Sequence, residues 1–296
     1  MRIIVTGAGG FIGGYLTEAL TARGDVVEGW TRATIDIADP AAVSAALTRF
    51  RPDAVVHLAA QSLPGRSWDE PAMTYETNVG GTINLLEAAR SQSVRPRILL
   101  AGSSAEYAEP NDGAPISEDA PIAPNSPYGA SKFASMQLAL LYYRHYGLEI
   151  VGFRPFALIG PRKTGDVCSD FARRIVAIER GAPPSMVVGD LSVVRDMIDV
   201  RDGVDGILRL IDDGVPGEIY NICAGRAVSI GTILQAYRHA TTVPFETTQD
   251  PALLRPLEQK VKIGDPSKLQ ALGWTPVRPL DETLVDILAY WRAHER

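Results

Sequence analysis

Short apolar runs alternate with stretches of helical spacing through the first half of the chain. RIIVTG (2–7), DVVEGW (25–30), DAVVHLA (53–59), RILLAG (97–102) and LEIVGFR (148–154) are β-branched or aliphatic runs of strand length. Between them, residues 11–23, 40–50, 72–93 and 128–146 carry apolar side chains at helical intervals. Several runs are apolar at nearly every position, as a strand needs when both its faces are covered. The alternation therefore predicts an α/β fold: a doubly wound parallel sheet between two layers of helices. Ligands of such a sheet bind at the carboxyl ends of its strands.

The rhythm changes after residue 160. Helical spacing at 168–180, 201–213, 229–240 and 279–294, a strand-like run EIYNICA (218–224) and frequent prolines predict a smaller mixed α/β domain over 161–296. Residues 195–226 are expected to pack back onto the first 160, and the smaller domain to close a substrate cleft over them.

Composition narrows the classes. The 296 residues are 46% apolar and 22% charged, a soluble globular balance. A net charge of −6 argues against nucleic acid or an anionic membrane as partner. No run approaches the roughly 20 apolar residues of a membrane span, and the chain opens on a strand rather than a signal peptide, so a cytoplasmic address is expected. Cys168 and Cys223 are too few for a disulfide framework and read as buried thiols. The four histidines, His57 among them, lack helical i,i+3 or i,i+4 pairing, so no metal is expected. His57 reads as a packed residue, and Trp68, Trp274 and Trp291 read as packing residues. Asp199 and Asp202 read as carboxylates at a helix entry.

VTGAGGFIGGYL follows the first strand and opens the first helix, with Gly7, Gly10 and Gly13 three apart. That spacing lets the chain turn tightly, approach a pyrophosphate without Cβ atoms and pack helix on strand, so residues 1–160 read as a Rossmann-type dinucleotide-binding domain. At the end of the second strand, EGWTR places Thr31 and Arg32 where an NAD-preferring site carries a carboxylate. A guanidinium there favours the 2′-phosphate of NADP(H), with NAD(H) the second choice. Asp36 reads either as a partner for the adenine amino group or as a turn residue.

SPYGASKFASMQ (126–137) puts Tyr128 and Lys132 one turn apart on a helix face. A phenol is a poor acid at neutral pH unless a neighbouring ammonium favours its phenolate. AGSSAEYA (101–108) supplies two hydroxyls after the fourth strand, but Gly102-Ser103-Ser104-Ala105-Glu106 lacks the second glycine of a serine-hydrolase elbow.

Together, T-G-x-x-G-x-x-G at the start and Y-x-x-x-K near residue 130 resemble the extended short-chain dehydrogenase/reductase superfamily. HLAAQS (57–62), NVGGTINLLEAAR (78–90), RPFALIGPR (154–162), VGDLSVVRDMIDVRD (188–202) and RPLEQKVKIGDPSKLQALGWTP (255–276) resemble its branch of GDP-mannose 4,6-dehydratases and GDP-4-keto-6-deoxy-mannose reductases. The resemblance implies a triad of Ser103, Tyr128 and Lys132. It implies that Gly7, Gly10, Phe11 and Ile12 hold the pyrophosphate, and that Arg32, Asp36 and Ile37 meet the adenosine end. Leu58, Ala59 and Ala60 would line the cofactor path, with Tyr128 and Lys132 at the nicotinamide ribose. Ser62, Ser103 and Ser104 fall near the sugar, and Arg195, Arg255 and Glu258 near a nucleotide diphosphate. Ala157 departs from the branch, whose members commonly carry Asn there. Relatives commonly dimerise through helices equivalent to 72–93 and 128–146, so a homodimer is expected.

Dehydratases of this branch place Glu, and epimerase-reductases Cys, two residues before the strand-end tyrosine. Here that position is Ala105, and Glu106, one residue on, is expected to point away in an extended segment. Simple redox remains. The chain reads as an NAD(P)H-dependent reductase of the C4 ketone of a nucleotide-linked 4-keto-6-deoxyhexose, GDP-4-keto-6-deoxy-mannose first, giving GDP-rhamnose or GDP-6-deoxy-talose. The alternatives are a nucleotide-sugar 4-epimerase with the same triad and a non-catalytic cofactor sensor.

Overall fold

The computed structural model describes residues 1–108, 113–253 and 260–295. Among them, six strands form one parallel sheet: β1 (Arg2–Thr6), β2 (Val26–Trp30), β3 (Ala54–His57), β4 (Arg97–Ala101), β5 (Ile150–Pro155) and β6 (Ile219–Ile222). Their order across the sheet is β2-β1-β3-β4-β5-β6. Because side chains alternate along a strand, each apolar run feeds two cores. Ile3, Val5, Val56, Leu99 and Val151 pack with Leu16 and Leu20 of helix Phe11–Ala22 and with Ile207 and Leu210 of helix Val200–Asp213. On the opposite face Ile4 and Val55 meet Val43 and Leu47 of helix Pro40–Phe50 and Leu85 of helix Gly81–Arg90. Ile98, Leu100 and Ile150 meet Met136 and Ala139 of helix Pro127–Tyr146 on that same face. Both faces are covered, as the unbroken apolar runs require.

One expected helix is divided. The span read as 72–93 is built from helix Pro71–Tyr75, a π turn Glu76–Gly80 and helix Gly81–Arg90, and a separate short helix, Pro64–Asp69, precedes it. Pro71 disfavours helical geometry at Glu70, which sits at φ −130°, ψ 60°. The π turn centres on buried Asn78, whose amide is committed elsewhere, as described below.

The C-terminal half builds a second apolar cluster. Phe171 and Ile175 of helix Val167–Glu179, Ile233 and Tyr237 of Ile230–Ala240, and Leu284, Ile287 and Trp291 of Leu280–His294 pack together. A three-stranded sheet of Val228–Ser229, Val194–Arg195 and Val261–Lys262 stands beside it. Through helix Val200–Asp213 and strand β6, part of this half joins the main sheet. Cys168 and Cys223 are buried thiols. Trp274 and Trp291 are buried, whereas Trp68, expected to pack, is 59% exposed because its short helix lies at the surface. No described helix is long and apolar enough to cross a membrane.

Candidate active site

After β1 the chain turns to β2 on one side and later returns as β3 on the other, so the loops after β1 and β3 meet at the switch point of the sheet. Gly7 there has φ +71°. A Cβ on Gly7 would lie 2.8 Å from Ala59 N, and one on Gly13 would lie 2.2 Å from the Gly7 carbonyl oxygen. The Gly10 N–H donates to that carbonyl at 2.9 Å. Helix Phe11–Ala22 starts without a side-chain cap or an acidic first turn, and the N–H groups that open a helix have no acceptor within it. A glycine-rich loop against a positive helix end fits the pyrophosphate of a dinucleotide, with Phe11 and Ile12 at the start of the helix.

Arg32 lies just past β2 with its side chain 83% exposed and Nε 3.9 Å from Asp36 Oδ2. Asp36 Oδ1 accepts the Ala38 N–H at 3.0 Å, so the carboxylate shapes the turn. Ile37 is buried against Gly81, where a Cβ would lie 2.7 Å from Ile37 Cγ2. Leu58, Ala59 and Ala60 are half-buried, and the Leu58 and Ala59 N–H groups donate to Thr6 Oγ1 at 3.2 and 3.0 Å. Thr6 hydrogen-bonds His57 Nδ1 at 2.8 Å, and His57 Nε2 lies 3.2 Å from Thr82 Oγ1. Burial, helped by the Lys132 charge, pushes the His57 pKa down to about 3. The imidazole is therefore a neutral, packed link between strand and helix.

Ser103 follows β4 and caps a 3-10 turn, Ser104–Glu106. Helix Pro127–Tyr146 starts against this turn, with Pro127 in its first turn and Ser126 Oγ accepting the Gly129 N–H. A Cβ on Gly129 would lie 2.4 Å from the Ala105 carbonyl oxygen, so this glycine lets the helix approach the turn. The contact sets the Ser103 side chain near the Tyr128 phenol. Burial raises the Tyr128 pKa, and the Ser103 side chain opposes it. Lys132, one turn on, is 5% exposed, and burial lowers its pKa to about 8 against the opposing pull of Glu106.

Asn78 braces this helix. Its Oδ1 accepts the Gln61 N–H at 2.7 Å, and its Nδ2 donates to Ser131 Oγ at 2.9 Å. The loop after β3 is thereby fixed to the Tyr128 helix, and Ser62 lies exposed on that loop.

Glu106 corrects an expectation. The segment is a 3-10 turn, so the side chain folds back: Oε1 accepts the Ser103 N–H at 2.7 Å and Oε2 accepts Arg154 Nε at 2.9 Å. Burial raises its pKa, while Arg154 pulls it down. Arg154 also donates to Tyr107 Oη at 3.0 Å, and Tyr107 donates to Asn221 Oδ1 at 2.7 Å. Glu106 is a fully buried, paired carboxylate beneath the turn, and Tyr107, its pKa raised by burial to about 12, is structural.

A sequence profile described as the NAD dependent epimerase/dehydratase family matches residues 3–223. The chain belongs to that family. It is similar over its full length to GDP-6-deoxy-D-mannose reductase of Pseudomonas aeruginosa, 32% identical over 100% of this chain and 98% of the relative. It is 30% identical to UDP-glucose 4-epimerase of Mycolicibacterium smegmatis over 99% of each. GDP-6-deoxy-D-talose 4-dehydrogenase of Aggregatibacter actinomycetemcomitans is 30% identical over 96% of this chain and 97% of its own. Among solved structures, RMD from Pseudomonas aeruginosa complexed with NADPH superposes with a TM-score of 0.91 at 32% identity, covering 99% of each chain. UDP-glucose 4-epimerase of Thermus thermophilus in complex with NAD gives 0.88 at 30% identity, covering 99% of this chain and 100% of that one.

Of the substrate-side residues expected for this epimerase/dehydratase chain, Ser104 is half-buried beside Ser103, and Arg195 is half-buried on the three-stranded sheet. Arg255 and Glu258 lie outside the described residues. Ala157 opens strand Ala157–Ile159, which pairs with Met197–Asp199. Asp199 caps helix Val200–Asp213 and binds Arg201, while buried Asp202 binds Arg278. Sequence reasoning missed Lys163, whose ammonium lies 5.5 Å from the ring centroid of Phe11, at the start of the phosphate-facing helix. The motif RPFALIGPR stops one residue short of it.

Proposed function

We propose that the protein is an NADP(H)-dependent reductase of the C4 ketone of a nucleotide-linked 4-keto-6-deoxyhexose, with GDP-4-keto-6-deoxy-mannose as substrate and GDP-rhamnose or GDP-6-deoxy-talose as product. The observation that supports this reading is the Ser103-capped turn packed on the start of the helix that carries Tyr128 and Lys132, beside Ala105, with the neighbouring carboxylate of Glu106 committed to Arg154 and the Ser103 N–H. Water elimination needs an acid or base at the sugar, and alanine supplies neither. The exposed Arg32 guanidinium supports the 2′-phosphate of NADP(H). Similarity to a GDP-6-deoxy-D-mannose reductase and to a structure complexed with NADPH supports both halves of the reading.

A bound reduced nicotinamide supplies the hydride. The Ser103 hydroxyl donates to the C4 carbonyl oxygen and holds it beside Tyr128. The Tyr128 phenol gives its proton to that oxygen as negative charge develops there. The Lys132 ammonium stabilises the resulting phenolate. Glu106 takes no proton-transfer role; it fixes the turn that carries Ser103.

Similarity to UDP-glucose 4-epimerases over the whole chain favours a second reading, a 4-epimerase with the same triad. Incubating the protein with NADPH and GDP-4-keto-6-deoxy-mannose separates them. The reductase consumes one NADPH for each product formed, whereas product without consumption of NADPH overturns the reductase reading.

A further inference from the structure

The three-stranded sheet carries two cations side by side. Lys262 is the register partner of Arg195 in a parallel pair, and register partners on neighbouring strands project to the same face. From there Lys262 Nζ crosses 158 residues of sequence to donate to the Ser104 carbonyl at 2.9 Å. Ser104 directly follows Ser103. The Lys262 backbone is held firmly: its carbonyl accepts the Asp196 N–H at 2.9 Å, and the Ile263 carbonyl accepts the Ile116 N–H at 2.8 Å. Buried Asp196 in turn accepts the N–H groups of Ala224, Gly225 and Gly264 at 2.8, 2.8 and 3.1 Å. Lys262 is thus a half-buried cation set by main-chain bonds and aimed at the turn that holds Ser103.

We propose that Lys262 is a substrate-anchoring residue whose ammonium, beside the Arg195 guanidinium, binds the sugar-side phosphate of the nucleotide diphosphate. This rests on the nucleotide-sugar reading above. A nucleotide sugar brings two negative charges on adjacent phosphates, and removing them from water in a half-buried site requires paired cations. One hexose ring separates C4 from the sugar-side phosphate, and one residue step separates the Ser104 carbonyl from Ser103. With C4 at Ser103, a cation anchored on Ser104 stands within reach of the sugar-side phosphate. The Lys262–Ser104 bond also ties substrate docking to the placement of Ser103, making Lys262 a positioning residue as well as a ligand.

The test is calorimetric titration of the NADP+-loaded enzyme with GDP, UDP and dTDP and with the matching monophosphates. Lys262→Met weakens binding of the accepted diphosphate by about tenfold or more, while its monophosphate, which lacks the sugar-side phosphate, keeps its affinity. Lys262→Arg restores most of the loss. Diphosphate affinity within about twofold of wild type in Lys262→Met overturns the proposal, as does an equal loss for monophosphate and diphosphate. If the wild type binds none of the three diphosphates, the nucleotide-sugar reading fails and this inference with it, which separates the two failures.

Discussion

Replacing Tyr128 with phenylalanine lowers kcat by about 10²- to 10⁴-fold, the range for loss of a positioned general acid, with a far smaller change in dinucleotide affinity. The helix carrying the residue does not depend on the phenol: Pro127, the Ser126 cap and the close packing of Gly129 on Ala105 set its start. The Tyr128 N–H bond to Ser67 Oγ at 3.1 Å also survives the substitution. What disappears is the proton delivered to the C4 oxygen. Steady-state kinetics with NADPH and the keto-sugar, alongside a dinucleotide titration, measure both halves. A kcat within about threefold of wild type removes Tyr128 from the chemistry. A sensor that keeps the fold without catalysis would be indifferent to this change.

Glu106→Gln has two effects with one cause. The substitution keeps an acceptor for the Ser103 N–H but leaves the Arg154 guanidinium buried opposite a neutral group. Loss of one partner from a buried ion pair costs about 3–5 kcal/mol, read as a lower denaturant midpoint. Removing the guanidinium as well, in Glu106→Gln with Arg154→Met, recovers most of that loss. The second effect concerns Lys132. Its ammonium is present below a pKa of about 8 and lost above it, so kcat/KM of the wild type falls as pH rises through that region. Glu106 is the charge that raises the Lys132 pKa against burial, so the alkaline limb of the variant moves to lower pH. An unchanged limb in a folded variant contradicts the electrostatic link.

The sheet was legible because its strands are apolar on both faces and the intervening helices on one. The π turn at Glu76–Gly80 was not, since Asn78 takes its place through partners on Gln61 and Ser131 rather than through local propensity. Local spacing was enough to place Gly7, Gly10 and Gly13 between the first strand and the body of the first helix, and Tyr128 one turn from Lys132 on one helix. The backbone at Glu106 differs from the extended segment expected: a capped 3-10 turn tucks the carboxylate beneath the turn, on the Ser103 N–H and Arg154. A signal was present: LEIVGFR ends an apolar buried run on an arginine, which needs a carboxylate when buried. Lys262 reaches Ser104 from 158 residues away, and such a contact leaves no mark in either local motif.

The central claim is net reduction at C4 of the sugar. The most direct measurement supplies NADPH carrying deuterium at the reactive carbon of its nicotinamide, together with GDP-4-keto-6-deoxy-mannose, and reads the product by mass spectrometry and proton NMR. The account predicts one deuterium per product molecule, located at C4, with one NADPH oxidised for each. Product free of deuterium, or isomerised sugar formed while NADPH remains intact, contradicts it.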